Sequence, residues 1–253
     1  MKRWLVVGGI VISVVVAFAV AVAVGMIVGG GGMTSGEPTL APDSSSAPVA
    51  TVSPSPTPAP TPSATNAETE PLTALFVGDS YTVGQGASSP AKRWSTLVAR
   101  ELGWTERNVA DGGTGFVRRY PERDLLSYRE QLRSVGPKGV DVVVIAGGQN
   151  DFGELRTRPA RVFEAVADTY ALAAQRFPEA QIVAVGPSTP WAIGLEARAL
   201  DSAVRAAAEK HGATYVSLID PDVVREGYVH EDGVHVTDLG NAAIARRVIS
   251  QIS

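Results

Sequence analysis

Residues 140–151 have the sequence Val-Asp-Val-Val-Val-Ile-Ala-Gly-Gly-Gln-Asn-Asp, an apolar run that ends in polar side chains. The run is short, rich in β-branched residues and followed by glycines, which is typical of a strand buried in a parallel sheet. Similar short runs occur in three other places, and a weaker candidate lies at 108–110. The three runs cover residues 75–77, 182–185 and 214–218. The pattern predicts five strands.

Segments rich in alanine, leucine and arginine separate these runs and have the composition of helices. They cover residues 91–102, 125–135, 159–177, 192–211 and 237–252. Thr237 is the predicted N-cap of the last segment, and Asp238 lies in its first turn, where a negative charge is favourable. The alternation of strand and helix predicts an α/β fold with a parallel sheet and helices on both faces. Functional sites in such folds form at the carboxyl ends of the strands.

The start of the chain has a different composition from the rest. Residues 5–28 are 24 consecutive residues without a charge, preceded by Lys2 and Arg3. A helix of that length spans the roughly 30 Å hydrocarbon core of a membrane. We expect residues 1–28 to be an uncleaved single-pass signal anchor, with the basic N-terminus inside and the later domain outside the cytoplasm. A cleaved leader would instead give a secreted protein.

Residues 29–70 form a second compositional segment, made largely of glycine, proline, serine, threonine and alanine. Proline occupies almost every second position between residues 53 and 62. Such a chain buries too little apolar surface to offset the entropy of ordering it. The composition predicts a disordered, extended linker, which leaves residues 71–253 for one globular domain.

Composition excludes several classes of function for that domain. Residues 71–253 carry 20 basic and 22 acidic side chains, which is not the footprint of a nucleic-acid-binding protein. The chain has no cysteine and only three histidines, so neither a thiolate metal site nor a three-imidazole site is expected. We expect no cofactor and no metal, and a monomeric catalytic domain.

Polar side chains gather at four points where strands end or the last helix begins. They lie at 78–80 (Gly-Asp-Ser), 111–115 (Asp-Gly-Gly-Thr-Gly), 147–151 (Gly-Gly-Gln-Asn-Asp) and 232–235 (Asp-Gly-Val-His). Acyl transfer requires a hydroxyl, a base that takes its proton and a group that orients the base. It also requires donors for the oxyanion, which glycine-rich turns and a carboxamide such as Asn150 can supply. Asp232 and His235 are three residues apart, so both can reach one site.

These four segments, in this order, resemble the sequence blocks of the SGNH or GDSL hydrolases. The resemblance implies a three-layer, flavodoxin-like fold with a five-stranded sheet. It implies that Ser80 is the nucleophile, that His235 is the base and that Asp232 orients the base. It also implies an oxyanion hole formed by the backbone amides of Ser80 and Gly112 and by the side chain of Asn150.

The chain departs from the family pattern in two places. Tyr81 stands where the family name has leucine, which changes the shape expected for the pocket. Ala110 stands where the family has an asparagine two residues before its first glycine, so either Gly112 or Gly113 could be the oxyanion donor. His230 is an alternative base, although no acid lies three residues before it.

The resulting hypothesis is an extracytoplasmic ester hydrolase that works through an acyl-enzyme on Ser80. Its substrate would be a small-molecule, glycan or lipid ester, as for an esterase, a lipase or a carbohydrate deacetylase. One alternative is an acyltransferase that uses the same site to modify a cell-envelope acceptor. A second alternative is a non-catalytic binding module tethered to the membrane, against which the complete set of serine, histidine and aspartate argues.

Overall fold

The structure, a computed structural model, describes residues 70–253. Its centre is a five-stranded sheet in which all strands are parallel, in the order β2-β1-β3-β4-β5. The strands are β1 (Thr73–Gly78), β2 (Thr105–Asn108), β3 (Val142–Ala146), β4 (Gln181–Val185) and β5 (Thr214–Val216). The α/β fold with five parallel strands expected from the sequence is confirmed.

Seven α-helices connect and cover these strands within residues 70–253. They are α1 (Ser80–Val83), α2 (Trp94–Glu101), α3 (Tyr128–Ser134), α4 (Phe152–Thr157), α5 (Pro159–Arg176), α6 (Leu195–Lys210) and α7 (Asp238–Ile252). Thr237 is the N-cap residue of α7, as expected, but its hydroxyl donates to the Tyr228 carbonyl rather than capping the helix.

Two apolar cores lie on opposite faces of the sheet. Because side chains alternate along a strand, Leu75 and Val77 of β1 point to one core and Ala74 and Phe76 to the other. The first core is completed by α3, α5 and α6, and the second by α2 and α7. The molecule therefore has three layers, helix on sheet on helix.

The register of the two central strands determines where the polar segments emerge. Val77 pairs with Ile145 and Gly78 with Ala146, so β1 and β3 end at the same level. Asp79 and Gly147 consequently leave the sheet side by side. This is the edge at which parallel α/β folds build their sites.

The position predicted for the second strand was wrong. The strand covers Thr105–Asn108, with the polar sequence Thr-Glu-Arg-Asn, rather than residues 108–110. It lies at the edge of the sheet and pairs only with β1, so it buries little apolar surface and carries no hydrophobic run. Helices α1 and α4 were not predicted, because they are only four and six residues long and carry no helical periodicity.

Within residues 70–253, no helix is both long enough and apolar enough to cross a membrane. The anchor predicted at residues 1–28 lies outside the described residues, as does the predicted linker up to residue 69. Both remain predictions from the sequence.

Candidate active site

The turn that carries Ser80 is built by its neighbours on both sides. Ser80 is the first residue of α1, and Asp79 caps the helix by accepting the Tyr81 N–H at 3.0 Å. A side chain on Gly78 would overlap Thr82 and approach the Ala146 carbonyl to 2.8 Å, so only glycine fits there. The Ser80 N–H lies in the first helical turn and has no intrahelical acceptor. Ser80 itself is only 6 % exposed.

Asp79 is a buried carboxylate that joins the first segment to the third. Its Oδ2 accepts the Tyr128 hydroxyl at 2.6 Å and the Gly148 N–H at 3.3 Å. Burial raises the pKa of Asp79, and the hydrogen bond from Tyr128 opposes that rise. These contacts give Asp79 a structural role in the turn that carries Ser80.

The glycine-rich second segment lies against the turn that carries Ser80. The Asp111 N–H donates to the Gly78 carbonyl at 3.2 Å. Gly112 faces the side chain of Gln85, whose backbone N–H donates to the Ser80 carbonyl, whereas Gly113 has φ +79° and faces Tyr120. Gly112 is therefore the glycine that packs on the segment following α1.

Asn150 links the third segment to the second. Its Nδ2 donates to the Thr114 carbonyl at 2.9 Å. A carboxamide nitrogen carries two hydrogens, so one N–H bond remains for another acceptor. The contact places Asn150 beside the loop that contains Gly112.

Asp151 supports the same loop through hydrogen bonds to its backbone, a role that no local sequence pattern indicated. Its buried carboxylate accepts the N–H groups of Phe116 (2.7 Å), Val117 (3.3 Å) and Arg118 (2.9 Å). A Cβ on Gly115 would overlap this carboxylate, which explains the glycine. Burial raises the pKa of Asp151 to about 6, because the cost of desolvation exceeds the effect of the three N–H donors.

Gln131 of α3 is a second supporting residue that the sequence did not reveal. Its side chain accepts the Gly78 N–H at 2.9 Å and donates to the Gly78 carbonyl at 3.0 Å and the Leu126 carbonyl at 2.9 Å. It is completely buried. The one available signal was a polar residue on the apolar face of α3, between Tyr128 and Leu132.

Asp232 and His235 form a hydrogen-bonded pair in the loop before α7. Asp232 Oδ2 lies 2.7 Å from His235 Nδ1, and Oδ1 accepts the N–H groups of Val234 and His235 at 2.8 and 2.9 Å. These bonds favour the carboxylate and hold the pKa of Asp232 well below its usual range, the backbone N–H of His235 contributing most. With Nδ1 bound to the carboxylate, Nε2 is the nitrogen left for a hydroxyl.

His230, the alternative base, also approaches Asp232 but less closely. Its Nδ1 lies 3.5 Å from Asp232 Oδ2, and its backbone N–H donates to the His235 carbonyl at 2.7 Å. Its side chain is also more exposed than that of His235. The geometry therefore favours His235 as the partner of Asp232.

One hydrogen bond joins the fourth segment to the first: the Tyr81 hydroxyl donates to the Val234 carbonyl at 2.7 Å. With this contact, all four segments belong to one connected network at the carboxyl edge of the sheet. Within the described residues, Ser80 Oγ and the His235 ring do not share a hydrogen bond.

Among residues 70–253, two of the larger surface clefts border these loops, and Ser80 lines neither of them. One of about 570 Å³ borders the His235 loop and is lined by residues that include Gly86, His230 and Leu239. The other, of about 400 Å³, lies between α3 and α5 and is lined by four arginines and three acids. In residues 70–253, no group of three or more histidine or acidic side chains is placed to hold a metal ion.

Comparison with known proteins identifies relatives of the chain. The model of the GDSL-like Lipase/Acylhydrolase family matches residues 76–243. The GDSL lipase Rv0518 of Mycobacterium tuberculosis H37Rv is 32 % identical over 189 residues, covering 70 % of this chain and 80 % of that protein.

Solved structures share the fold at lower sequence identity. The crystal structure of TesA aligns with a TM-score of 0.59 and 20 % identity, covering 72 % of this chain and 98 % of that chain. A family two carbohydrate esterase from Cellvibrio japonicus aligns with a TM-score of 0.57 and 20 % identity, covering 71 % of this chain and 60 % of that chain.

The three-layer fold, the loops at its carboxyl edge and these matches define an ester-acting hydrolase. The family model covers more than half of the chain, and the mycobacterial relative exceeds 30 % identity. The chain belongs to the GDSL-like lipase/acylhydrolase family.

Proposed function

We propose that this chain hydrolyses esters through an acyl-enzyme on Ser80, with His235 as base and Asp232 as the residue that orients it. The observation that carries the proposal is the Asp232–His235 pair, which one hydrogen bond ties to the helix that begins with Ser80. A carboxylate on Nδ1 fixes the tautomer in which Nε2 is unprotonated and stabilises the imidazolium that forms.

The chemistry follows from these positions. Ser80 Oγ attacks the carbonyl carbon of the ester while His235 Nε2 takes the hydroxyl proton. The tetrahedral intermediate collapses, and the alcohol leaves with the proton held by His235. Water then attacks the acyl-enzyme, giving one proton to His235, and the acid departs as that proton returns to Ser80.

The oxyanion formed in each step needs preorganised donors. The proposed donors are the Ser80 N–H, the Gly112 N–H and the free N–H of Asn150. Gly112 is preferred to Gly113 because it packs against Gln85, on the side of α1. A single such donor typically contributes about 10²- to 10³-fold to kcat.

A fluorophosphonate probe on the full chain tests the nucleophile. The probe should label Ser80, and Ser80→Ala should lose the label together with at least about 10³-fold of the ester turnover. Ser88→Ala is a matched control, because Ser88 is a nearby serine bonded to Asp238 and should leave labelling intact. A folded wild-type chain that takes no label, or that is labelled equally after Ser80→Ala, would refute the assignment.

The location and the substrate class are further parts of this proposal. The apolar residues 5–28 after Lys2 and Arg3 support a membrane anchor with the hydrolase outside the cytoplasm. The relative named as a lipase supports a lipid ester as the first substrate to test. A series of esters of increasing acyl length, with free acid as the measured product, would distinguish lipid from acetyl substrates.

A further inference from the structure

Tyr81 is the residue at which this chain departs from the leucine in its family's name, and the structure gives its hydroxyl a specific contact. Its side chain is buried, and its hydroxyl donates to the Val234 carbonyl at 2.7 Å. Its ring lies 6.3 Å from the His235 ring, centre to centre, at an angle of 50°. Tyr81 thus touches the loop that carries the proposed base while directly following the proposed nucleophile.

The contact acts on a loop that is held together by its own hydrogen bonds. The carboxylate of Asp232 binds the backbone N–H groups of Val234 and His235 as well as the imidazole, which fixes these groups relative to one another. The Val234 carbonyl belongs to the peptide bond that joins Val234 to His235. A bond to this oxygen therefore sets the position of His235 itself.

Gly86 also packs closely on the loop, because a Cβ there would lie 3.0 Å from the His235 Cβ. The other hydrogen bonds of the loop come from outside α1. The His230 N–H donates to the His235 carbonyl, and both residues lie in the loop before α7. Ser88 binds the Asp238 carboxylate, three residues beyond His235. In the described part of the chain, the bond from Tyr81 is the only hydrogen bond between α1 and residues 230–236.

The hydroxyl remains a donor under ordinary conditions. Burial raises the pKa of Tyr81, and the negative charges of Asp79 and Asp232 raise it further. Deprotonation would convert the donor into a charge facing a carbonyl oxygen, and the raised pKa prevents this. A leucine at the position would fill space without offering a donor.

We propose that Tyr81 is a positioning residue, which places the His235 imidazole within reach of the Ser80 hydroxyl by holding the Val234 carbonyl. The inference rests on the proposed function, because it assigns a role to Tyr81 only if Ser80 and His235 react together. Misplacement of a reacting group by about 1 Å can cost about 10²-fold in rate. Loss of the hydroxyl should therefore lower turnover more than substrate binding.

The test is Tyr81→Phe in the full chain, which keeps the ring and removes the hydroxyl. We expect kcat for a p-nitrophenyl ester to fall by about 10- to 100-fold with little change in KM, and fluorophosphonate labelling to slow in parallel. The proton resonance of the imidazole N–H bound to Asp232 should persist, because that bond is internal to the loop. Persistence of this signal distinguishes displacement of the loop from its unfolding.

Tyr215→Phe is the matched control. It also removes a tyrosine hydroxyl bonded to a buried acceptor, Asp201, but it has no hydrogen bond to α1 or to residues 230–236. The control should lose stability and keep kcat at temperatures where it is folded. Unchanged kcat in Tyr81→Phe, or an equal loss of kcat in the control, would overturn the inference while wild-type turnover upheld the proposed function. A wild-type chain without turnover or labelling would overturn both.

Discussion

Two buried carboxylates, Asp79 and Asp151, support the loops of the site from behind. Both accept hydrogen bonds from N–H or O–H groups, and burial raises the pKa of each. Burying a carboxylate costs free energy unless it is hydrogen-bonded. Each carboxylate therefore favours the one loop arrangement that keeps its N–H and O–H donors in place. At the scale of single residues, Asp79 and Asp151 thus support the loops that carry Ser80 and Asn150.

The raised pKa of Asp151 predicts a stability that depends on pH. The pKa of Asp151 is about 6 in the folded chain, against 3.8 for an unperturbed aspartate. Between these pH values the folded chain keeps a proton on Asp151 that the unfolded chain has lost. Asp151 should therefore lower the free energy of unfolding as pH rises from about 4 to about 6, by about 3 kcal/mol. Carboxyls whose pKa is lowered, such as Glu106 and Glu130, contribute in the opposite direction. Thermal unfolding at a series of pH values measures the slope.

Asp151→Asn is the variant that isolates this effect. It removes the titrating group, so its unfolding temperature should vary less between pH 4 and pH 6 than that of the wild type. Some slope should remain, because burial raises the pKa of Asp79 in the same direction. Parallel curves for the two proteins would show that Asp151 does not titrate in this range.

At the scale of secondary-structure elements, α3 is more than a cover for the sheet. It begins with a capping-box sequence in which the Glu130 carboxylate accepts the backbone N–H and the hydroxyl of Ser127, at 2.9 and 2.7 Å. One turn later it inserts Gln131 against the end of β1. The helix therefore supplies hydrogen-bond partners to Gly78, where strand β1 ends and the turn to α1 begins.

Gln131→Leu tests this link between helix and strand. The variant keeps a similar volume but leaves the N–H and carbonyl of Gly78 without these partners. We expect the free energy of unfolding to fall by about 1–3 kcal/mol, the cost of an unsatisfied buried polar group, and turnover to fall as the Ser80 turn loosens. Chemical denaturation and ester kinetics measure the two effects.

Arg133→Ala provides the comparison, since Arg133 lies on the exposed side of the same helix. Its substitution should change stability by less than about 0.5 kcal/mol. If Gln131→Leu were as stable as this control, the hydrogen bonds to Gly78 would contribute nothing measurable.

At the scale of the whole chain, the hydrolase is the C-terminal part of a longer polypeptide. The family match covers residues 76–243, and the segments before it have the composition of an anchor and a linker. The contacts described above that join the loops of the site are made among residues 70–253. We predict that the anchor determines location and leaves the chemistry unchanged.

Deletion of residues 2–28 tests that separation. The full chain should sediment with membranes and be accessible to protease from outside the cell, whereas the shortened chain should be recovered in the soluble fraction. The ester turnover of each molecule should be the same. Recovery of the full chain in the soluble fraction would contradict the predicted anchor.

The amino-acid sequence was sufficient for the alternation of strands and helices, the number of strands and the four polar segments. It was also sufficient for the proximity of Asp232 and His235, because that contact spans three residues and depends on local backbone alone. These features are encoded in short patterns, namely β-branched runs, helix compositions and glycine-rich turns.

Tertiary structure alone revealed the polar edge strand β2, the insertion of Gln131, the support from Asp151 and the bond from Tyr81 to the Val234 carbonyl. These hydrogen bonds join residues 33 to 153 positions apart, so no local pattern encodes them. The edge strand is stabilised by its ladder with β1 rather than by its own side chains. Folding brings these groups together because the parallel strands of the sheet end at one level, and the loops that leave that edge can satisfy their buried polar groups only with one another.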